Sequence, residues 1–307
     1  MRGRFAPSPT GLLHLGNARS ALLGWLQARA AGGEFLLRVE DLDRARCRPE
    51  YVDALYRDLD YLGLTWDGPV LFQSARAEAY EAALSQLAAE GRVYPCTCTR
   101  QEVARAASAP HGPLDEGPVY PGTCRPPRGA ARPKAPAAFR FIPRPGKTEL
   151  VDGLHGPYGH DVSEAVGDFV VRRNDEVASY QLAVVVDDAH QGITHVLRGD
   201  DLLSSTPRQL QLYEALGAPA PSFAHVPLLL GEDGRRLAKR EGASTVAALR
   251  ERGVPAEMVV GRLAAWSGLS DGSPRDAASL LPGFSLSRVR REPAVVTAGE
   301  LEYILRP

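Results

Sequence analysis

Lysine is almost missing from this sequence: of 36 basic residues in 307, only Lys134, Lys147 and Lys239 are lysine and the rest are arginine. Wherever a site calls for a compact ammonium rather than a planar fork, few positions can supply it. Long apolar runs are missing too; none approaches the ~20 residues that a membrane span needs, which excludes an integral membrane helix. The stretch from Met1 to Thr10 lacks the apolar core of a secretory signal. Charge of one sign is not in excess, since 36 basic against 37 acidic side chains give −1. Any attraction for nucleic acid must therefore come from a local patch. Cysteines number four, and three of them crowd into positions 96–124, which points to a metal site in a cytoplasmic chain rather than to disulfides.

What is present is a 44% hydrophobic chain long enough for one large core or two domains. Arg2 to Ala6 reads as a strand, followed by the turn Pro7-Ser8-Pro9-Thr10-Gly11. Leu15 to Ala30 is apolar-periodic, rich in helix formers and free of proline, and Gly32-Gly33 stops it before a buried strand at Phe35–Val39. Strand, glycine-containing turn, helix and strand make a βαβ unit, the mark of a parallel α/β sheet. Pro49 to Tyr61 and Ala75 to Glu90 read as helices. Residues 94–147 hold eleven prolines, too many for regular helices, and from Arg125 to Lys147 there are seven basic residues and no acidic one. Such a strip suits a phosphate backbone. Asp168–Arg172, Ile193–Leu197 and His225–Leu230 read as strands, Pro207–Leu216 as a helix, and Ser179–Asp188 as either.

Three groups of residues carry chemistry. His14-Leu15-Gly16-Asn17 sits where a strand-turn passes into a helix, and a helix N-terminus offers free N–H groups and partial positive charge to a phosphate. Gly16 leaves room for a flat base against the backbone. Arg4 and Arg198 are planar forks that can hold carboxylates in bidentate fashion, and Glu40 is an anion that can hold an ammonium. Cys96, Cys98 and Cys124 offer three thiolates to a zinc ion that needs four ligands. On chemical grounds His111 is the better fourth ligand, with water as a further alternative.

The string Arg4-Phe-Ala-Pro-Ser-Pro-Thr-Gly11 resembles the N-terminus of the glutamyl-type class I aminoacyl-tRNA synthetases. His14-Leu-Gly-Asn17 then resembles their "HIGH" signature, and Arg38-Val-Glu40-Asp-Leu-Asp43 the strand end that follows it. Tyr180 to Asp188 and Arg198-Gly-Asp-Asp201 resemble the second half of the same catalytic fold. Arg236-Leu-Ala-Lys239-Arg240 resembles the "KMSKS" loop, keeping its second lysine but with Ala238 in place of the central serine.

The resemblance implies an α/β fold: a Rossmann-type catalytic domain in two halves, 1–93 and 148–235, with a zinc-containing insertion at 94–147. Residues 236–307 would hold the KMSKS-like loop and a short helical region, with no anticodon-binding domain. It implies that Arg4 and Tyr180 take the side-chain carboxylate of L-glutamate, Arg198 the α-carboxylate and Glu40 the ammonium, in a pocket that Phe5, Ala6, Pro7 and Ser8 complete. His14, Gly16, Asn17 and Lys239 would bind ATP with its Mg2+, and His14 and Lys239 would be catalytic. One branch of the family binds a structural zinc with Cys-x-Cys and Tyr-x3-Cys, which here implies Cys96, Cys98, Tyr120 and Cys124. That truncated branch activates glutamate without tRNA and transfers it to the queuosine base in the anticodon of tRNA-Asp, working as a cytoplasmic monomer. The alternatives are a glutamyl-adenylate ligase with another acceptor (a tRNA 3′ end, a protein or a small amine) and a non-catalytic synthetase-like binding protein.

Overall fold

The computed structural model describes residues 1–106, 118–127, 137–237 and 245–304. Ala238, Lys239, Arg240 and His111 lie outside them. Strand β1 (Arg2–Phe5), helix α1 (Leu15–Ala30) and β2 (Glu34–Val39) form the expected βαβ unit, with β1 and β2 parallel. Helix α1 has no proline and no β-branched residue. It ends at Ala31, after which Gly32 adopts φ +61, a left-handed conformation that favours glycine. Leu15, Leu22, Leu26 and Phe35 are fully buried here, each stabilising the fold by about 1.5–3 kcal/mol.

Helix α2 (Pro49–Tyr61) starts on proline, whose missing N–H costs nothing at that position. β3 (Leu71–Phe72) then pairs parallel with β2, and α3 (Ala77–Ala89) follows. β4 (Val93–Cys96), the short α4 (Arg100–Ala106) and β5 (Ala138–Phe141) come from the proline-rich stretch. Its prolines spare 100–106, so one helix forms where none was expected. A hairpin of β6 (Lys147–Asp152) and β7 (Gly156–Asp161), then α5 (Val162–Ala165), leads to β8 (Phe169–Arg172), which joins β4 and β5 in an antiparallel sheet.

The second half continues with α6 (Tyr180–His190), β9 (His195–Gly199), α7 (Thr206–Ala215) and β10 (Ser222–Val226), the last parallel to β9. The ambiguous segment at 179–188 is therefore a helix, capped by the Ser179 hydroxyl on the Leu182 N–H. The strand read at 225–230 is two strands. Pro227, which cannot donate to a ladder, separates β10 from β11 (Leu229–Gly231). After α8 (Val246–Glu251) and α9 (Ala256–Trp266), β12 (Ala294–Val296) pairs parallel with β11, and α10 (Ala298–Ile304) closes the described chain.

The two parallel sheets meet along β1 and β9. The Arg2 N–H donates to Thr194 Oγ1 at 2.8 Å, and the Thr194 N–H donates to the Arg2 carbonyl at 2.9 Å. The strand order thus runs β3-β2-β1-β9-β10 and reverses at β1, a topological switch point. In such sheets ligands bind beyond the carboxyl ends of the strands on either side of that point.

Candidate functional site

A cleft of about 590 Å³ lies at that position. Arg4, Phe5, Ala6, Pro7 and Ser8 leave β1 along one wall, His14, Gly16 and Asn17 open α1, Glu40 ends β2, and Tyr180 and Arg198 face them from the second half. All the described residues expected to bind glutamate or ATP are therefore in one cavity. Lys239 is outside the described residues, but its neighbours Arg236 and Leu237 line the cleft.

The wall where β1 and β2 end is built on a buried chain of alternating charge. Arg4 donates through Nε and Nη2 to the two oxygens of Asp188, at 3.3 and 3.5 Å. Arg38 Nη1 donates to Asp188 Oδ1 at 2.6 Å, and its Nη2 reaches Glu40 Oε1 at 3.3 Å. Burial works against a charge on Asp188, but Arg38 and Arg4 outweigh it and hold the carboxyl below its usual range. For Glu40 burial wins, and its carboxyl is pushed up despite Arg38 and Arg4. An ionised Glu40 in a dry site binds a cation strongly, which suits an ammonium.

Arg198 stands differently. Its Nη2 donates to Thr206 Oγ1 and Gln209 Oε1, both at 2.8 Å, its Nε to His225 Nε2 at 2.9 Å, and its Nη1 to the Tyr180 phenol at 3.3 Å. Every one of these partners is uncharged, because burial, helped by the Arg198 charge and against the hydrogen bond to Asp152, pushes the His225 pKa down to about 4. Among the described residues no carboxylate pairs with Arg198. Tyr180 takes its hydrogen bond from Arg198 and also feels the charge of Arg4, with which the resemblance grouped it.

His14 caps α1: its Nδ1 accepts the Asn17 N–H at 3.2 Å, so the ring proton is on Nε2. Gly16 serves this ring, since a Cβ there would lie 3.1 Å from His14 Cε1 and Nδ1. Arg236, at the first position of the KMSKS-like string, pairs with Asp201. The chain on either side of that loop is anchored to the cleft, the Leu237 N–H on the Leu229 carbonyl and Thr245 in a bridge with His14.

The three expected sulfur ligands lie within 4.8 Å of one another. Cys98 Sγ is 3.5 Å from Cys124 Sγ, and the Tyr120 oxygen is 3.3 Å from Cys96 Sγ and 3.7 Å from Cys98 Sγ. A tetrahedral zinc ion with its usual bond lengths separates sulfur and oxygen ligands by roughly 3.5–3.8 Å, so the donor set and its spacing fit that ion. The Arg140 guanidinium lies 3.7 Å over the Tyr120 ring, with its Nε 3.3 Å from Cys96 Sγ. The basic strip itself is less open than its sequence suggests. Of its described members, Arg125 pairs with Asp168 and Arg144 with Glu214, both from distant segments, and Lys147 with Glu149 in its own strand.

Residues 1–270 match the family "tRNA synthetases class I (E and Q), catalytic domain". The chain belongs to this class I tRNA synthetase family. A protein of Symbiobacterium thermophilum named glutamyl-Q tRNA(Asp) synthetase is 54% identical to this synthetase over 96% of each chain. One of the same name from Nocardia farcinica is 51% identical over 96% of this chain and 93% of its own. Among solved structures, a glutamate tRNA ligase of Elizabethkingia meningosepticum, in complex with its amino acid, superposes with a TM-score of 0.84. It is 28% identical, and the match covers 99% of this chain and 68% of that one.

Several residues of the synthetase cleft went unassigned in the sequence. Arg38 and Asp188 stand inside the strings that carry the resemblance, but nothing in spacing alone says that they pair across 150 residues. Asp152, His225 and Arg140 belong to no motif. Only a buried charge next to a site residue would have marked them, and burial is not written in a local pattern.

Proposed function

We propose that this synthetase activates L-glutamate with ATP to glutamyl-adenylate, without tRNA, and transfers the glutamate to the queuosine base in the anticodon of tRNA-Asp. The observation that carries the first step is a buried guanidinium, Arg198, without a counter-ion among the described residues, in a cleft that also holds the carboxyl of Glu40 and a second guanidinium, Arg4. A ligand with two carboxylates and one ammonium completes that charge pattern. The second step rests on likeness over nearly the whole chain to proteins named for it.

Arg198 and Tyr180 hold the side-chain carboxylate, and Arg4 and Glu40 the amino-acid end. This grouping departs from the one the resemblance implied, and the reason is electrostatic. The α-carboxylate loses its charge when it becomes an anhydride, whereas the side-chain carboxylate stays charged through both steps. An unneutralised, desolvated cation is better matched to the charge that persists.

The α-carboxylate attacks the α-phosphorus of ATP in line, and pyrophosphate leaves. No general base is needed, because the nucleophile is already ionised; positioning and charge neutralisation do the work. His14 Nε2–H and the first N–H groups of α1 face the phosphates, Gly16 and Asn17 the nucleoside, and Lys239 neutralises the departing pyrophosphate, with the magnesium that ATP brings. In the second step a hydroxyl of the queuosine cyclopentene ring attacks the adenylate carbonyl and AMP leaves.

Cys96, Cys98, Cys124 and Tyr120 would hold a zinc ion whose contribution is structural, tying β4 to the segment at 118–127. No described helix is long and apolar enough to cross a membrane. A monomer in the cytoplasm, where tRNA is met, completes the reading.

The test is to supply ATP and labelled glutamate with queuosine-containing or queuosine-free tRNA-Asp. Label on the queuosine-containing tRNA alone, surviving periodate oxidation of the 3′ end, is expected. Label on both tRNAs, or its loss after periodate, would make the acceptor a 3′ ribose instead.

A further inference from the structure

Two buried arginines in one cleft are treated in opposite ways. Arg4 is met directly by the carboxylate of Asp188. Behind Arg198 there is also a carboxylate, Asp152, but an imidazole stands between them. Asp152 Oδ2 is 2.6 Å from His225 Nδ1, and His225 Nε2 is 2.9 Å from Arg198 Nε. All three side chains are buried, with exposures of 3% for Asp152, 0% for His225 and 6% for Arg198.

The hydrogen positions follow from the donors. A guanidinium N–H can only donate, so His225 Nε2 must present a lone pair. The one ring proton is then on Nδ1 and is donated to Asp152. A second proton would have to point at Arg198, so the imidazole is neutral. Asp152 meanwhile has other donors: its Oδ1 accepts the N–H groups of Leu154 and His155 at 3.0 Å each and of His225 at 3.2 Å. Its charge is satisfied without touching the guanidinium.

We infer that His225 is a positioning residue that works as a neutral spacer: it fixes the plane of the Arg198 guanidinium while keeping Asp152 from neutralising it. The cation stays available for the side-chain carboxylate of the substrate. A carboxylate in place of the imidazole would pair with Arg198 as Asp188 pairs with Arg4, and an incoming glutamate would have to displace it. This rests on the reading that Arg198 binds that carboxylate.

Three substitutions at this position separate the two tasks. His225→Gln keeps a neutral acceptor within reach of Arg198 Nε. His225→Asn keeps a donor for Asp152 but offers Arg198 nothing. His225→Glu has the shape of the glutamine and differs only in charge. The readout is glutamate-dependent ATP–pyrophosphate exchange, with KM for glutamate and for ATP measured separately, beside thermal unfolding. The expected result is a glutamate KM within about threefold of wild type for Gln, about tenfold or more higher for Asn, and about a hundredfold higher for Glu. The ATP KM should stay within about twofold throughout.

If Asn equals Gln, the positioning task is refuted. If Glu equals Gln, the spacer task is refuted, and if both KM values rise together the residue is merely structural. Should the Glu variant not fold, the Gln and Asn pair still decides the positioning task, and adding Asp152→Asn in the His225→Glu background relieves the repulsion and decides the other. Arg198→Gln distinguishes the layers. An unchanged glutamate KM there overturns the reading of Arg198 itself, whereas a raised one, with the His225 variants unaffected, overturns only the spacer.

Discussion

Arg4 donates two hydrogen bonds to Asp188, one to each carboxylate oxygen, and the same carboxylate neutralises Arg38. Two cations thus depend on one buried anion. Asp188→Asn should cost about 3–5 kcal/mol of stability, because it leaves buried Arg4 without its paired carboxylate and Arg38 with Glu40 alone. Urea unfolding measures this directly. A loss under ~1 kcal/mol would mean that water reaches the pair. The depressed Asp188 carboxyl contributes stability that is complete above its unfolded pKa and disappears as pH falls through the folded one.

Glu40 runs the other way. Its folded pKa is raised by burial, so the empty protein is relieved, not weakened, as pH falls through that value. Binding an ammonium needs the ionised form. The KM for glutamate should therefore rise as pH falls through the raised pKa. In Glu40→Gln it should be higher by about ten- to a hundredfold and lose that dependence, the scale of one charge-assisted hydrogen bond. A Glu40→Gln profile with the wild-type slope would place the titrating group elsewhere.

His14 caps α1 through one nitrogen, and the proposed catalytic task of the other can be separated from it. Asparagine is a good N-cap, so His14→Asn should keep stability within ~1 kcal/mol while removing the Nε2 donor. The kcat for adenylate formation should fall by about 10²–10³. Gly16→Ala, whose Cβ would come to 3.1 Å from the His14 ring, should lower kcat by about tenfold through displacement of that ring. Pyrophosphate exchange at saturating substrates checks both, and a Gly16→Ala enzyme with full kcat would show that the ring has room to move.

Arg140 lies over Tyr120 and against Cys96, where three thiolates and a phenolate on one zinc ion would leave excess negative charge. Arg140→Gln should weaken zinc binding by about 10–100-fold, as removal of an outer-shell partner does. Competition against a chromophoric chelator measures it. Equal affinity in both proteins would leave Tyr120 a neutral phenol outside the metal's coordination.

Much of the molecule is legible in its sequence because the relevant signals are local. Helices α1 and α2 begin and end where apolar spacing and a leading proline place them. The cleft residues Arg4, His14, Glu40, Tyr180 and Arg198 stand in strings whose order survives in the resemblance. What was not legible depends on partners far away. The β6–β7 hairpin is local, but two glycines and a proline in β7 read as turn rather than strand, and β12 is three residues paired with β11 and packed on α9. Pro227 breaks a strand that hydrophobicity alone would have continued. The pairings of Asp188 with Arg38 and of Asp152 with His225 cross 150 and 73 residues, and periodicity carries no information at that range.

The seam that joins Arg2 to Thr194 has a consequence during synthesis. A ribosome adds roughly 5–20 residues per second, so about 7–30 s pass between the emergence of Glu40 and that of Tyr180. Throughout that interval β1 has a paired strand on only one side, and the edge where Arg2 will meet Thr194 stays open. The nascent chain carries half a pocket and a surface that invites wrong pairing. The first 40 residues are thus made early and become useful late, when the second half arrives to cover the edge and complete the pocket in the same event.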